Sequence, residues 1–165
     1  MARLSFKGLQ QYELQLSKLP GSTREIAEKA VYEGAKLVAD EVKKNLNALN
    51  VTTQELAIRA YTNQTPTYIT EEAKDALIAS FGITPLRDED GYYNVKVGFD
   101  GYNNVITKKY PKGQPNNMIA RSCESGSSSM IKQPFMRTAV NASRSRAEQK
   151  MAEILAAEIE KIMEG

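Results

Sequence analysis

A proline-led helix start behind a glycine-closed, serine-rich bridge constrains this chain more than any other feature. From Met118 to Ala139 it reads Met-Ile-Ala-Arg-Ser-Cys-Glu-Ser-Gly-Ser-Ser-Ser-Met-Ile-Lys-Gln-Pro-Phe-Met-Arg-Thr-Ala. A short apolar-alternating run stops at Glu124-Ser125-Gly126-Ser127. Gln133-Pro134-Phe135-Met136-Arg137 then opens a long helical pattern. Proline suits a first helical turn, because the N–H it lacks would have been unpaired there. Phe135 and Met136 anchor the helix where it leaves the loop. The stretch is expected to be a pinned loop between a sheet and a terminal helix.

That terminal helix is predicted over Pro134 to Met163. Met136, Ala139/Val140, Ser143, Ala147, Met151, Ile154/Leu155, Ile159 and Ile162 recur at helical spacing. Arg137, Arg144 and Arg146 crowd its first half, against the positive end of the helix dipole unless a carboxylate lies nearby. They mark either an interface or a solvated charged face.

The N-terminal half is helical by the same test. Phe6, Leu9, Tyr12, Leu16 and Leu19 share one face, and Pro20-Gly21 ends the run. Ser22-Thr23-Arg24-Glu25 has the form of a capping box. The helix that opens there and carries the apolar pattern Ile26 to Leu49 is predicted to be long and amphipathic, about 27 residues. Gly34 and the alanines allow another helix to approach closely. Thr53 to Tyr61 predicts a short helix, Asn63 to Thr67 a loop, and Thr70 a cap for a helix through Glu71 to Ser80.

The period then changes. Ile83 to Leu86 is expected as a strand interrupted by Pro85, and Asp88-Glu89-Asp90-Gly91 as a turn. Tyr93, Val95, Val97 and Phe99 alternate with polar or small residues, as in a half-buried antiparallel strand. The acids near that turn lack the alternating oxygen ligands of an EF-hand. Residues 101–117 hold Pro111, Pro115, Gly101 and Gly113, and read as an exposed, extended loop. Met118 to Cys123 reads as the next strand or as a helical turn. The fold class expected is α+β: a small antiparallel sheet packed with a long N-terminal and a long C-terminal helix in one domain, 1–165.

Composition narrows the chemistry. Histidine is absent and Cys123 is the single cysteine. The commonest general base and transition-metal ligand are therefore missing, and no intrachain disulfide can form. Cys123 has no histidine partner. Arg121 nearby would lower its pKa, but a buried structural thiol is the simpler reading. Glu124 reads as an acceptor of loop backbone N–H bonds, or as a partner for a neighbouring subunit's arginine, rather than as a base. No catalytic residue, metal or cofactor is expected. No apolar run nears the roughly 18 residues of a membrane span, and the N-terminus has no apolar signal core. Residues 101–147 carry eight basic residues against one acid, a net +7, while the rest carries 14 basic and 19 acidic residues, a net −5. Lys108, Lys109, Lys112 and Arg121 thus form a candidate surface for polyanion or for an acidic partner, or a solvated loop region. Tyr102 and Tyr110 lie among these cations, as in a stacking-plus-phosphate surface.

The pattern Glu124-Ser125-Gly126-Ser127, a spacer, then Pro134-Phe135-Met136-Arg137-Thr138-Ala139 resembles the signature of the tail-completion, or head–tail joining, proteins of long-tailed bacteriophages. The Asp75-to-Phe81 segment and the Val95-Lys96-Val97-Gly98 strand are similar too, so the resemblance spans about residues 6–163. It implies a structural virion component of the phage neck, made in the host cytoplasm. It also implies a homo-oligomeric ring, commonly of six copies, between the head connector or stopper and the tail terminator or tail tube. DNA would pass through the lumen. Glu124, Gly126, Ser127, Pro134, Phe135 and Arg137 would form the assembly loop and helix anchor, and Lys108, Lys109, Lys112 and Arg121 would face the channel or a partner. The alternative is a stand-alone, sequence-nonspecific nucleic-acid-binding protein that uses the basic 101–147 stretch.

Overall fold

A computed structural model describes residues 2–4, 23–90 and 92–164. The predicted helix from Phe6 to Leu19 lies outside them, as does Ser22 of the predicted capping box. Two long helices dominate. Helix α1 spans Thr23–Asn47, and its buried stripe is Ile26, Ala27, Ala30, Val31, Gly34, Ala35, Val38, Ala39, Val42 and Leu46. Val51–Thr52 (β2) and Ile69–Thr70 (β3) follow it, with Gln54–Thr62 (α2) between them. Glu71–Ser80 (α3) leads into Phe81–Ile83 (β4), Arg87–Glu89 (β5) and Tyr92–Phe99 (β6). Asn116–Ser125 (α4) and Met136–Glu164 (α5) complete the order, and Ala2–Leu4 is β1. The class is α+β, as expected.

Helix α5 buries Ala139, Ser143, Ala147, Met151 and Leu155, a strict four-residue repeat that lays one narrow ridge along α1. Gly34 lets the axes close up: a Cβ there would sit 2.5 Å from Met151 Cγ and 3.3 Å from the Ala147 carbonyl oxygen. The buried Ser143 hydroxyl donates to the Ala139 carbonyl at 2.7 Å, so the ridge holds no orphan donor. Lys29 pairs with Glu158 and Arg146 with Glu41, which fixes the two helices antiparallel. The Lys44 ammonium bonded to Glu41, helped by Arg146, holds that carboxyl below its usual range, and Lys29 with Lys161 does the same to Glu158. Lys74 of α3 donates to the Asn47 and Leu49 carbonyls and caps the end of α1.

Strand β6 is the centre of the sheet, with β1 on one edge and β4 on the other. The expected strand at Ile83–Leu86 is only partly there: Ile83 ends β4, and residues 84–86 around Pro85 belong to no strand. The strand register ends at Ile83, opposite Val97, with one more bond from the Thr84 N–H to the Lys96 carbonyl at 2.8 Å, and resumes at Arg87, opposite Asn94: four steps on one arm against three on β6. That extra residue is a bulge, the arrangement a proline inside a paired arm demands. The turn is tighter than expected, since Glu89 pairs with Tyr92. Val95, Val97 and Phe99 face the core as predicted, but Asn94 is buried too.

Two further expectations are corrected. Met118 to Cys123 takes the helical of its two expected readings, so the serine-rich bridge joins two helices and not, as expected, a sheet to a helix. Residues 101–115 are not an extended loop. Asn103 N–H donates to the Gln114 carbonyl, and the Asn103 side-chain oxygen accepts from the N–H groups of Val105 and Gln114. One buried asparagine thus closes the base, and Asn116 and Asn117 already belong to α4. Gly113 at φ +96° completes it, because a Cβ would lie 1.9 Å from the Asn103 carbonyl oxygen.

Candidate functional site

Helix α4 ends at Gly126, where φ 78° and ψ 162° fall in a region open essentially to glycine alone. The Gly126 N–H still donates to the Ser122 carbonyl at 2.8 Å, closing the last turn. The chain then reverses. Ser127 and Met130 exchange backbone bonds, and the Ser127 hydroxyl accepts from the Ser129 N–H. Gln133 N–H returns to the Cys123 carbonyl at 2.7 Å. The bridge thereby delivers the start of α5 to the end of α4.

Glu124 closes the joint. Its two carboxylate oxygens accept from the N–H groups of Met136 and Arg137, at 2.8 and 3.0 Å. These are the first two amides of α5, which have no partner inside the helix. A negative charge also stands against the positive end of the dipole, the counterpart that the arginine-rich first half of α5 required. The backbone-acceptor role expected for Glu124 is present within the chain. Pro134 does not open the helix as expected. It lies two residues before Met136, exposed, and its carbonyl accepts from the Thr138 hydroxyl at 2.7 Å. A side-chain cap from α4 has taken over the work assigned to the proline.

Phe135 is the apolar half of the same joint. It is buried, and its ring meets Phe99 edge-on at 5.9 Å, while Phe99 meets Phe81 at 5.2 Å. This aromatic row ties α5 to β6 and β4. The Asn45 side chain donates to the Phe135 carbonyl at 3.1 Å. Cys123 is fully buried below, and burial, reinforced by the Glu124 charge, pushes its thiol up to about 11. Arg121 does not override that.

Gln133, together with residues that the sequence did not single out, holds the other side. Gln133 and Asn50 exchange two bonds, at 2.9 and 3.1 Å, between the Gln133 amide and the Asn50 main chain. Thr67 N–H donates to the Ser129 carbonyl, and Ile131 N–H to the Thr67 carbonyl. The bridge is therefore stitched to the segment that carries α2.

Glu124, Gly126, Ser127, Pro134, Phe135 and Arg137 are thus brought together in one joint. The basic candidates are split. Lys108, Lys109 and Lys112 are exposed on the loop before α4, with the Lys109 ammonium 5.5 Å from the Tyr110 ring centre. The Tyr110 hydroxyl contacts Met118 Sδ at 3.1 Å and seats that loop on α4. Arg121 is exposed on α4 itself and lines a concave surface of about 510 Å³ with Phe99, Met118, Phe135 and Met136.

Among the described residues no group of three or more Cys, Asp or Glu side chains is placed to hold a metal ion, and no helix is long and apolar enough to cross a membrane. Comparison with known protein families, with curated proteins and with solved structures finds no match.

Proposed function

We propose that this chain is a structural component of the neck of a long-tailed bacteriophage. Identical copies close into a ring between the head connector and the tail, DNA passes through the lumen, and the chain carries out no catalysis. The observation that supports this best is the Glu124 clasp on Met136 and Arg137. It gives each part of the resemblance a mechanical role, in which the glutamate caps, the glycine turns the chain and the phenylalanine anchors. The result is a stiff joint without a reacting group. A ring needs two different faces on every copy, related by a rotation that closes, and a stiff joint fixes such an angle. Lys108, Lys109 and Lys112, exposed on a folded loop, suit sequence-independent contact with phosphates in the lumen.

Native mass spectrometry and negative-stain electron microscopy of the purified protein test this reading, with labelled virions as the second readout. Closed rings, and label at the head–tail junction, are expected. A monomer at every concentration, with no label at the junction, would overturn it. The exposed lysines also fit free nucleic-acid binding. That alternative predicts tight binding to naked duplex that falls steeply with salt.

A further inference from the structure

Residues 51–68 form an arm that leaves the body and returns to it. Its root is the parallel pairing of Val51 with Ile69 and Thr52 with Thr70. Its body is α2, nine residues long, with no residue buried. Of the ten large apolar side chains exposed among the described residues, five lie on this arm: Val51, Leu56, Ile58, Tyr61 and Tyr68. Leu56, Ile58 and Tyr61 are 52%, 58% and 82% exposed; Ile58 and Tyr61, three positions apart, share one side of the helix, and Leu56, two positions from Ile58, does not. A helix this short is marginal without packing, yet α2 is capped at both ends, by the Thr53 hydroxyl on Leu56 N–H and by Asn63 N–H on the Arg59 carbonyl. It is held in shape while its apolar side is left bare.

A second exposed feature is the concave surface beside Arg121. Its floor is Phe99, Met118, Phe135 and Met136, and Glu124 lines it too, its carboxylate engaged by the Met136 and Arg137 amides. Among the described residues no carboxylate pairs with the Arg121 guanidinium on its rim. The arm carries Glu55 one helical turn from Ile58, exposed and held only by its neighbour Arg59 at 2.9 Å. The bridge that presents the arm and the clasp that shapes the groove are the same stretch of chain.

We propose that the arm of one copy seats in the groove of the next, with Ile58 and Tyr61 on the apolar floor and Glu55 facing Arg121. The inference rests on the ring reading and names its subunit contact, a heterologous one.

Ile58→Cys and Asn117→Cys, each in a separate protein, test it when mixed and treated with a short bismaleimide. The native Cys123 is buried and supplies no background. The mixture is expected to yield a covalent dimer that neither variant yields alone. Glu55→Arg and Arg121→Glu should each weaken assembly by about fivefold, the scale of one exposed ion pair, and combining the two reversals in one chain should restore it. All four positions are exposed, so folding should hold, which a thermal melt checks. Rings that form without the mixed cross-link would overturn the arm-and-groove contact and leave the ring reading standing. A cross-link confined to a single chain carrying both cysteines would overturn it as well. No ring at any concentration would remove both.

Discussion

Replacing Glu124 probes the joint directly, and the structure sets the size of the effect. Glu124→Ala removes both acceptors of the first α5 amides, which are bonded at 2.8 and 3.0 Å. Loss of an N-terminal side-chain cap costs about 1 kcal/mol. Loss of a charge at the positive end of the dipole costs roughly 0.3–1 kcal/mol more. The Met136 amide is partly buried, so water restores its bond only in part. Together these put Glu124→Ala at about 2 kcal/mol. At roughly 2–4 °C per kcal/mol for a chain of this size, the midpoint of thermal unfolding should fall by about 4–8 °C. Glu124→Gln keeps one acceptor and loses the charge, and should cost about half as much. Urea unfolding followed by circular dichroism measures both, and the slope should stay unchanged if only stability moves. An alanine variant within about 0.5 kcal/mol of the parent would mean that solvent caps α5 equally well, and the clasp would lose its structural role.

Four other outcomes follow from the same contacts. Gly126→Ala forces a side chain into a backbone region that only glycine occupies freely, and should cost about 1–3 kcal/mol by urea titration, whereas Ser125→Ala next to it should be near neutral. Gly34→Val drives a side chain into Met151 and the Ala147 carbonyl, and should cost about 2 kcal/mol, part of which a Met151→Ala background should restore. Cys123, pushed up to about 11 and fully buried, should resist iodoacetamide at pH 8 in the native protein and react at the ordinary rate in denaturant, as mass spectrometry will read. The lowered carboxyls of Glu41 and Glu158 add stability that is present above pH 4.5 and lost as pH falls through their folded values, so Glu41→Gln with Glu158→Gln should flatten the acid limb of the stability curve.

Much of the helical frame was legible in the sequence because single helices announce themselves locally. The apolar repeat of α1, the short helix α2 and the Thr70 cap of α3 all stand where their residues predict. Helix α4 was obscured because its buried stripe is Asn116, Ile119, Ala120 and Cys123, which has helical spacing but opens on an asparagine. Read without Asn116, the rest passes for a short strand. The 101–115 loop was misread for a related reason, since its core is the Asn103 side chain and not an apolar residue. The residues of the joint were visible, but their division of labour was not. A carboxylate twelve positions upstream of Met136 does the capping that the local pattern assigned to Pro134. The Gln133–Asn50 exchange spans 83 positions and leaves no local trace.

The joint also bears on how a ring of such copies would close. In a cyclic assembly the rotation between the two faces of a subunit must be a fixed fraction of a full turn, and any error is repeated at every contact. In the contact proposed here, one face is the arm and the other the groove, and only the bridge and its two neighbouring helices separate them. A loose serine-rich bridge would let that angle drift, giving open chains or mixed ring sizes. Stitching by Gln133, Ser129 and Ile131 on the arm side, and by Glu124 and Phe135 on the groove side, would limit that drift in such a ring. Stability and closure then need not move together. Gln133→Ala cuts both bonds to Asn50 and leaves the Glu124 clasp and the Phe135 anchor in place. It should lower the melting midpoint by only a few degrees, yet broaden the distribution of copy number in native mass spectra. A sharp, unchanged ring in that variant would show that the angle is set elsewhere.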